Sequence, residues 1–486
     1  MSADRVLDGL EPALVWERFG ELTQIARPSK HEDEARAHVL AWARARDLEA
    51  NVDGAGNAVV RIPASPGRAE APTVVLQAHL DMVCERDEES PYDPREGRIH
   101  VVVDGDWVIA EGTTLGADNG IGVAAALAVA DDSALEHGPL ELLLTVSEEQ
   151  GLDGAKALDP SLVSGRLLVN LDGTSDEVLT VGCAGSAHTF LHVELSPEPT
   201  PTQALGLRIE LSGARGGHSG EDIARGRINA IKSLGRILAS AYRTAPFRLV
   251  RLGGGASRNA IPRRAEATIV ADPESEEALH DAARRELNAL REQHPNEDGL
   301  SLSLEAGEPT DAASEFVTCR ALDLLATIPN GVLALMPGEA RAVETSTCLT
   351  VATTENGVLT LAAMSRSSNP GALDDLVATI EAGARLAGAN VEVVHSYPSW
   401  PPAPDSQLLA TARGTFERVF GRAAHLEVVH GGLECAVIGE KLPGIEMISI
   451  GPSIVGLHAP GERVGIASTQ RFYRLLRALL EDLSSS

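Results

Sequence analysis

Apolar residues recur at two different spacings along the chain, and the alternation between them outlines a fold. Leu14, Val15, Phe19 and Leu22 fall at helical spacing behind Pro12, and Ala35, Val39, Leu40 and Trp42 do so within residues 32–46, so both segments are predicted helices. Residues 58–62 and 73–77 read as strands, followed by a helix over 122–130 and strands over 141–146 and 167–171. Strands alternating with helices indicate an α/β layered domain, a mixed sheet flanked by helices.

Near residues 183–188 the pattern changes to two successive α+β units. The first has strand 207–211, helix 228–241, strands 247–251 and 265–270, and helix 276–292. The second has helix 321–327, strands 346–353 and 358–363, and helix 373–387. A Pro-rich stretch, 398–404, then returns the chain to the α/β style, with helix 408–420, strands 426–429 and 446–450, and a final helix 469–483. The chain thus divides into a first segment, 1–186, an inserted α+β domain, 187–399, and a returning segment, 400–486. The paired α+β units suggest an internal duplication, although no sequence repeat accompanies them.

Composition narrows the partners. Lys and Arg total 41 against 70 Asp and Glu, a net charge of -29. Such a surface repels phosphate backbones and anionic lipid, so neither nucleic acid nor membrane is an expected partner. The five cysteines are odd in number, scattered and free of any C-x-x-C pair. That speaks against a disulfide framework and a cysteine-based zinc site, and for a reducing compartment. The stretch 1–10 carries acids and lacks an apolar leader core, and no run approaches the ~20 apolar residues of a membrane span. The cytoplasm is the expected location.

Chemistry-bearing residues gather where apolar strands end. In Q-A-H-L-D-M-V, His79 and Asp81 follow an apolar run and point the same way in an extended segment, as a metal ligand and its neighbour would. In T-T-L-G-A-D-N-G-I-G, Asp118 and Asn119 sit in a glycine-rich loop before a helix. The glycine spacing is wrong for dinucleotide binding. In T-V-S-E-E-Q-G, Glu148 and Glu149 end a buried strand, where one can hold a metal and the other a water. Asp172 ends strand 167–171, and His458 follows strand 446–450. Ligands of open α/β sheets collect at the carboxyl ends of strands, and imidazole and carboxylate donors suit zinc. His31, His100, His137 and His188 read as surface or loop histidines, whereas His430, beside the Gly431-Gly432 turn, is a candidate neighbour of the site.

These segments, in this order, resemble the bacterial aminoacyl-histidine dipeptidases (Xaa-His dipeptidases, the carnosinase-like peptidase D group). That group belongs to a larger family of co-catalytic zinc peptidases that includes peptidase T and glutamate carboxypeptidase. The resemblance runs from Ile25-Ala26-Arg27-Pro28-Ser29-Lys30-His31-Glu32 through Gly182-Cys183-Ala184-Gly185, Gly216-Gly217-His218-Ser219-Gly220 and Arg258-Asn259-Ala260-Ile261-Pro262. It ends with Gly431-Gly432-Leu433-Glu434-Cys435 and His458-Ala459-Pro460. It implies a di-zinc exopeptidase domain with the inserted domain as a lid, two Zn2+ per subunit (Mn2+ or Co2+ may replace them), small peptide substrates and a homodimer.

By this resemblance Asp118 would bridge both metals, with a cis bond to Asn119. His79 and Asp172 would complete one metal site, and Glu149 and His458 the other. Glu148 would be the general base and Asp81 would orient His79. His218 would hold the oxyanion, while Asn259, Arg366, Gly432 and Glu434 would contact substrate, Arg366 through its carboxylate. Ser186 and Gly431 stand where the group's pattern has Gly and Ala. The alternatives are a tripeptide aminopeptidase or deacylase of the same family, a non-catalytic peptide-binding protein on this fold, and a structural scaffold.

Overall fold

The computed structural model describes residues 6–337 and 342–485; Met1 to Arg5, half of the acidic stretch at the N-terminus, lie outside them. Helices α1 (Ala13–Leu22) and α2 (Asp33–Arg44) lead into strands β1 (Glu49–Val52), β2 (Ala58–Ile62) and β3 (Val74–His79). Helix α3 (Ala117–Asp131) precedes β4 (Leu140–Thr145), β5 (Leu167–Asn170) and β6 (Val178–Cys183). Next come β7 (Gly185–Glu194), β8 (Leu205–Ser212), α4 (Ala230–Thr244), β9 (Phe247–Gly254), β10 (Ala265–Ala271), α5 (Glu276–Gln293) and β11 (Ser301–Gly307). Then follow α6 (Glu315–Thr327), β12 (Val343–Glu355), β13 (Val358–Ser367), α7 (Pro370–Ala387) and β14 (Asn390–Tyr397). The chain closes with α8 (Gln407–Phe420), β15 (His425–Val429), α9 (Glu434–Lys441), β16 (Glu446–Ser449) and α10 (Ile466–Ser484).

These elements form two compact units. Unit 1 comprises Met1–Cys183, Trp400–Val429 and Leu433–Ser486, and unit 2 comprises Ala184–Ser399 and His430–Gly432. The passage falls at Cys183/Ala184 because β6 ends and β7 begins there, one strand for each sheet, so the expected cut after residue 186 lies inside β7. Residues 430–432 belong with unit 2 rather than with the returning segment around them.

The main sheet of unit 1 has the order β1-β2-β4-β3-β5-β16-β6-β15. Strands β4, β3, β5 and β16 run parallel, so their carboxyl ends lie side by side. Strands β3 and β4 are buried along their whole length, as expected of a parallel sheet covered on both faces. Trp16 and Phe19 of α1, Val123 and Leu127 of α3, and Phe472 and Leu476 of α10 belong to that core.

Unit 2 is built on one antiparallel sheet, β11-β8-β10-β9-β12-β13-β7-β14, with the short strand Gly331–Leu335 paired to β12. Its order contains the duplication suggested by the paired patterns. β8-α4-β9-β10-α5-β11 is a βαββαβ unit whose strands lie in the order fourth, first, third, second. β7, α6, β12, β13, α7 and β14 form a second such unit, laid out as second, third, first, fourth. The first unit is inserted into the second, directly after β7. Local signals start α4 and α7 and stop α7: Asn229 and Asn369 cap α4 and α7 through their side chains, Pro370 opens α7, and Gly388, at φ 69°, ends it. Leu234, Ile237 and Leu238 of α4, Leu279 of α5, Leu322 and Leu325 of α6 and Ile380 of α7 fill one core against the sheet.

Phe472 is fully buried, so Phe472→Ala should destabilise unit 1 by about 3–5 kcal/mol. A chemical-denaturation profile of the variant checks this: the transition carrying the unit 1 tryptophans should shift. An unshifted transition would mean that α10 is not part of that core.

Candidate metal centre

The parallel arrangement of β3, β4, β5 and β16 delivers the predicted residues to one place. His79 is the last residue of β3, Glu148 and Glu149 follow β4, Asp172 follows β5, and His458 lies in the loop beyond β16. Asp118 enters from the first turn of α3, where the helix is broken by non-helical Asp118 and Asn119 and the bond between these two is cis. Asn119 is turned inward, donating from Nδ2 to Leu171 O at 3.2 Å and to the Asp172 carboxylate. Glycine is required at 122, since a Cβ there would stand 1.9 Å from Asn119 Oδ1.

Two donor groups share Asp118. Its Oδ1 lies 3.1 Å from His79 Nε2, which is itself 3.5 Å from Asp172 Oδ1. Its Oδ2 lies 3.4 Å from His458 Nε2, which is 3.0 Å from Glu149 Oε2. Two ligands held tetrahedrally at zinc–ligand distances are about 3.3 Å apart, so these spacings are those of ligands on common ions. The sets His79, Asp118, Asp172 and Asp118, Glu149, His458 can each hold a metal ion. Among the described residues Glu149 Oε1 is buried without a hydrogen-bond partner, as a donor atom reserved for a cation would be. The residues fit a pair of metal ions bridged by one carboxylate.

The charges around this pair are extreme. Burial alone would raise the Asp118 carboxyl, yet hydrogen bonds from His458 and His79 hold it well below the carboxylate range. Hydrogen bonds to Asp118 and Glu149 push His458 up to about 10. Glu148 is pushed well up, first by burial and then by the charges of Asp172, Glu434 and Glu149, with His79 opposing.

Several side chains brace the cluster. Asp81, fully buried, stands 3.3 Å from His79 Nδ1 through Oδ1, and that oxygen also accepts from Glu148 N at 3.0 Å. Its Oδ2 accepts from Glu149 N at 3.2 Å and Ser29 Oγ at 2.7 Å. One carboxylate thus fixes both the β3 ligand and the two acids after β4. Three further braces were not read from sequence. Arg27, 1% exposed, donates to Leu80 O and Asp81 O, each at 3.1 Å, and to Gly116 O at 2.5 Å, tying the His79 and Asp118 loops together. Glu462 accepts from Leu115 N at 2.8 Å, Gly116 N at 2.9 Å and Asp118 N at 3.2 Å. Glu32 accepts from Ser147 N at 2.9 Å and Lys30 N at 2.8 Å. The signal available for Arg27 and Glu32 was their place in a motif; for Glu462 there was none.

Glu434, expected to contact substrate, braces the strands as a buried strut. It is 1% exposed, and its Oε2 accepts from Gln77 Nε2 at 2.6 Å and Thr145 Oγ1 at 2.7 Å. Gln77 in turn accepts from Asn170 Nδ2 at 2.6 Å, so the network crosses β4, β3 and β5 just behind the ligands. Burial pushes the Glu434 carboxyl up to about 7.

Unit 2 holds the other predicted residues. His218 Nδ1 accepts from the backbone N–H of Glu221 at 3.2 Å and Gly220 at 3.4 Å, which leaves the proton on Nε2 as a donor. Burial, and then the Arg366 charge, keep this imidazole below the usual histidine range and so neutral. Asn259 is exposed; its backbone carbonyl accepts from Ser219 N at 2.7 Å and its Oδ1 from Ser257 Oγ at 2.6 Å. Arg366 is buried on β13, its Nη1 donating to Tyr397 Oη at 2.7 Å. Gly432, also expected at the substrate, packs on the Tyr397 ring. His430 Nε2 lies 2.7 Å from Ser346 Oγ. His188, read as a surface residue, is half-buried on β7 within the field of Arg366, and His137 is buried with Nδ1 2.7 Å from Gly138 O.

Residues 75–482 match the family description "Peptidase family M20/M25/M40". The cytosol non-specific dipeptidase of Escherichia coli K12 is 36% identical over 480 residues, covering 98% of this chain and 99% of its own. The aminoacylhistidine dipeptidase of Vibrio alginolyticus, a solved structure, is 35% identical with a TM-score of 0.90, covering 98% of this chain and 97% of its own. Human carnosine dipeptidase 1 shares the fold at 13% identity, with a TM-score of 0.52 over 100% of this chain and 99% of its own.

Glu462→Ala would leave three backbone N–H groups of the Asp118 loop without their acceptor. Each buried donor so orphaned costs about 1–3 kcal/mol. The variant should melt earlier and hold metal more weakly, whereas Glu462→Gln, which keeps an acceptor oxygen, should lose less of both. Equal losses in the two variants would show that charge, not the hydrogen bonds, is what Glu462 supplies.

Proposed function

We propose, for a chain that belongs to peptidase family M20/M25/M40, that it hydrolyses dipeptides in a metal-dependent reaction. The observation that carries this reading is Asp118, whose two oxygens face two separate ligand sets with Glu148 beside them. We assign two zinc ions to these sets, with manganese or cobalt as substitutes, because imidazole and carboxylate donors suit zinc. When bound, such a pair of cations acts as a Lewis acid and activates water at neutral pH.

The chain's own groups do the rest. Glu148 takes the proton of the attacking water and passes it to the leaving amine. Asp81 keeps His79 oriented and the backbone of Glu148 and Glu149 in place. His218, neutral and protonated on Nε2, donates to the oxygen that becomes negative as the carbonyl is attacked. Asn259 and Arg366 receive the peptide's terminal carboxylate, so Arg366 limits substrate length. Unit 1 carries the catalytic role in this assignment and unit 2 that of the lid. Xaa-His dipeptides such as carnosine are among the proposed substrates, since the Vibrio relative is named for them. The cytoplasm is the proposed setting, in keeping with the E. coli relative's name and five free cysteines. No helix among the described residues is long and apolar enough to cross a membrane. A homodimer is proposed from the family resemblance and is checked by light scattering.

Purified protein is tested on β-Ala-His, Gly-His, Ala-Leu, Leu-Gly-Gly and an N-acetyl amino acid, with zinc and with chelator. Dipeptides alone should be cleaved, and only without chelator. Glu148→Gln should retain its metal and lose about 10²–10⁴-fold in kcat. Cleavage confined to the tripeptide or the acetyl compound would contradict the dipeptidase reading, and loss of metal from Glu148→Gln would move Glu148 into the ligand set.

A further inference from the structure

Arg366 is 4% exposed, yet none of the described residues offers it a carboxylate within ion-pair distance. A buried guanidinium without a counter-charge is costly, and it marks a place kept for an anion. Its one hydrogen bond among the described residues runs from Nη1 to Tyr397 Oη at 2.7 Å. Nε is buried and finds no hydrogen-bond partner among the described residues. A guanidinium meets a carboxylate bidentately through either its Nη1–Nη2 end or its Nε–Nη2 edge. Tyr397 engages the first, which leaves the second.

The surroundings hold Tyr397 in that position. In the cross-strand register Arg366 of β13 faces Ser186 of β7, and Ser186 faces Tyr397 of β14, so all three stand in one row on one face of the sheet. Ser186 Oγ is buried and has no hydrogen-bond partner among the described residues. Gly432 lies against the tyrosine ring, where a Cβ would come within 2.6 Å of the ring Cζ. Arg366 in turn disfavours the charged form of the nearby imidazoles. Burial and the Arg366 charge push His430 down to about 4, and burial together with Arg258 and Arg366 lowers His188.

We propose that Tyr397 is a positioning residue: by fixing Nη1 it turns the Nε–Nη2 edge of Arg366 toward the substrate's terminal carboxylate, with the bare Cα of Gly432 holding the ring in place. The inference rests on the reading of Arg366 as the carboxylate-binding group. It makes Tyr397 a determinant of the preference for substrates that end in a free carboxylate at the second residue.

The test compares Ala-Leu with Ala-Leu amide, which lacks the carboxylate, in zinc-loaded full-length enzyme. Tyr397→Phe keeps the ring and should lower kcat/KM for the acid about tenfold more than for the amide, mainly through KM, as expected for one charge-assisted hydrogen bond. Gly432→Ala should have the same selective effect by displacing the ring. Melting curves identify any variant that has lost its fold, and Tyr397→Phe is the conservative case. Arg366→Lys is measured alongside. If the lysine variant loses the acid-over-amide preference and Tyr397→Phe keeps it, the positioning role is overturned and the Arg366 reading stands. If Arg366→Lys keeps the preference as well, both fall.

Discussion

Mutual repulsion among carboxylates brought to the ends of parallel strands is the constraint on which unit 1 depends. Asp118, Glu148, Glu149 and Asp172 converge with only two imidazoles between them. Protonated imidazoles or bound cations offset that charge, and each carboxylate must be held in place to share them. The braces answer the second requirement. Asp81 couples β3 to the loop after β4, Arg27 couples the β3 loop to the turn before Asp118, and Glu462 fixes that turn by its backbone. Behind them Glu434, Gln77 and Asn170 link three strands beneath the ligands. Each brace is buried, so each acts in a low dielectric, where a hydrogen bond is strong and its loss expensive.

Unit 2 meets a different demand with a different architecture. Two βαββαβ units share one antiparallel sheet, and the polar residues cluster near the ends of β7, β13 and β14 rather than along an apolar core. There one buried guanidinium lies near Tyr397, Ser186 and two histidines whose charged forms burial and Arg366 itself disfavour. Where unit 1 concentrates negative charge for cations, unit 2 concentrates one positive charge for an anion.

Much of this was legible in the sequence because it depends on local signals. Apolar strands that stop at His79, Glu148 and Asp172 announce both the parallel sheet and the edge where ligands gather. Other features depend on partners far away in the chain. Glu462 reads as an ordinary surface acid in a Pro-Gly turn; only the fold carries it to the Leu115–Asp118 backbone. Glu434 sits in a motif that suggested substrate contact, but the direction of its side chain is set by Gln77 and Thr145. The duplication of unit 2 left no repeat to read, because a βαββαβ layout constrains topology and periodicity, not identity, and the second copy is split by the first. Helix α3 was expected from residue 122; its first turn reaches back to Ala117, but Asp118 and Asn119 are non-helical, so regular geometry starts only beyond them.

The central claim is that one carboxylate, Asp118, lies between two metal ions. Crystals of zinc-loaded protein measured on both sides of the zinc absorption edge test it directly. Two anomalous peaks per chain are predicted, one bound by His79 and Asp172, the other by Glu149 and His458, with the Asp118 carboxylate joining them. A single peak, or two peaks that Asp118 does not bridge, would contradict the account.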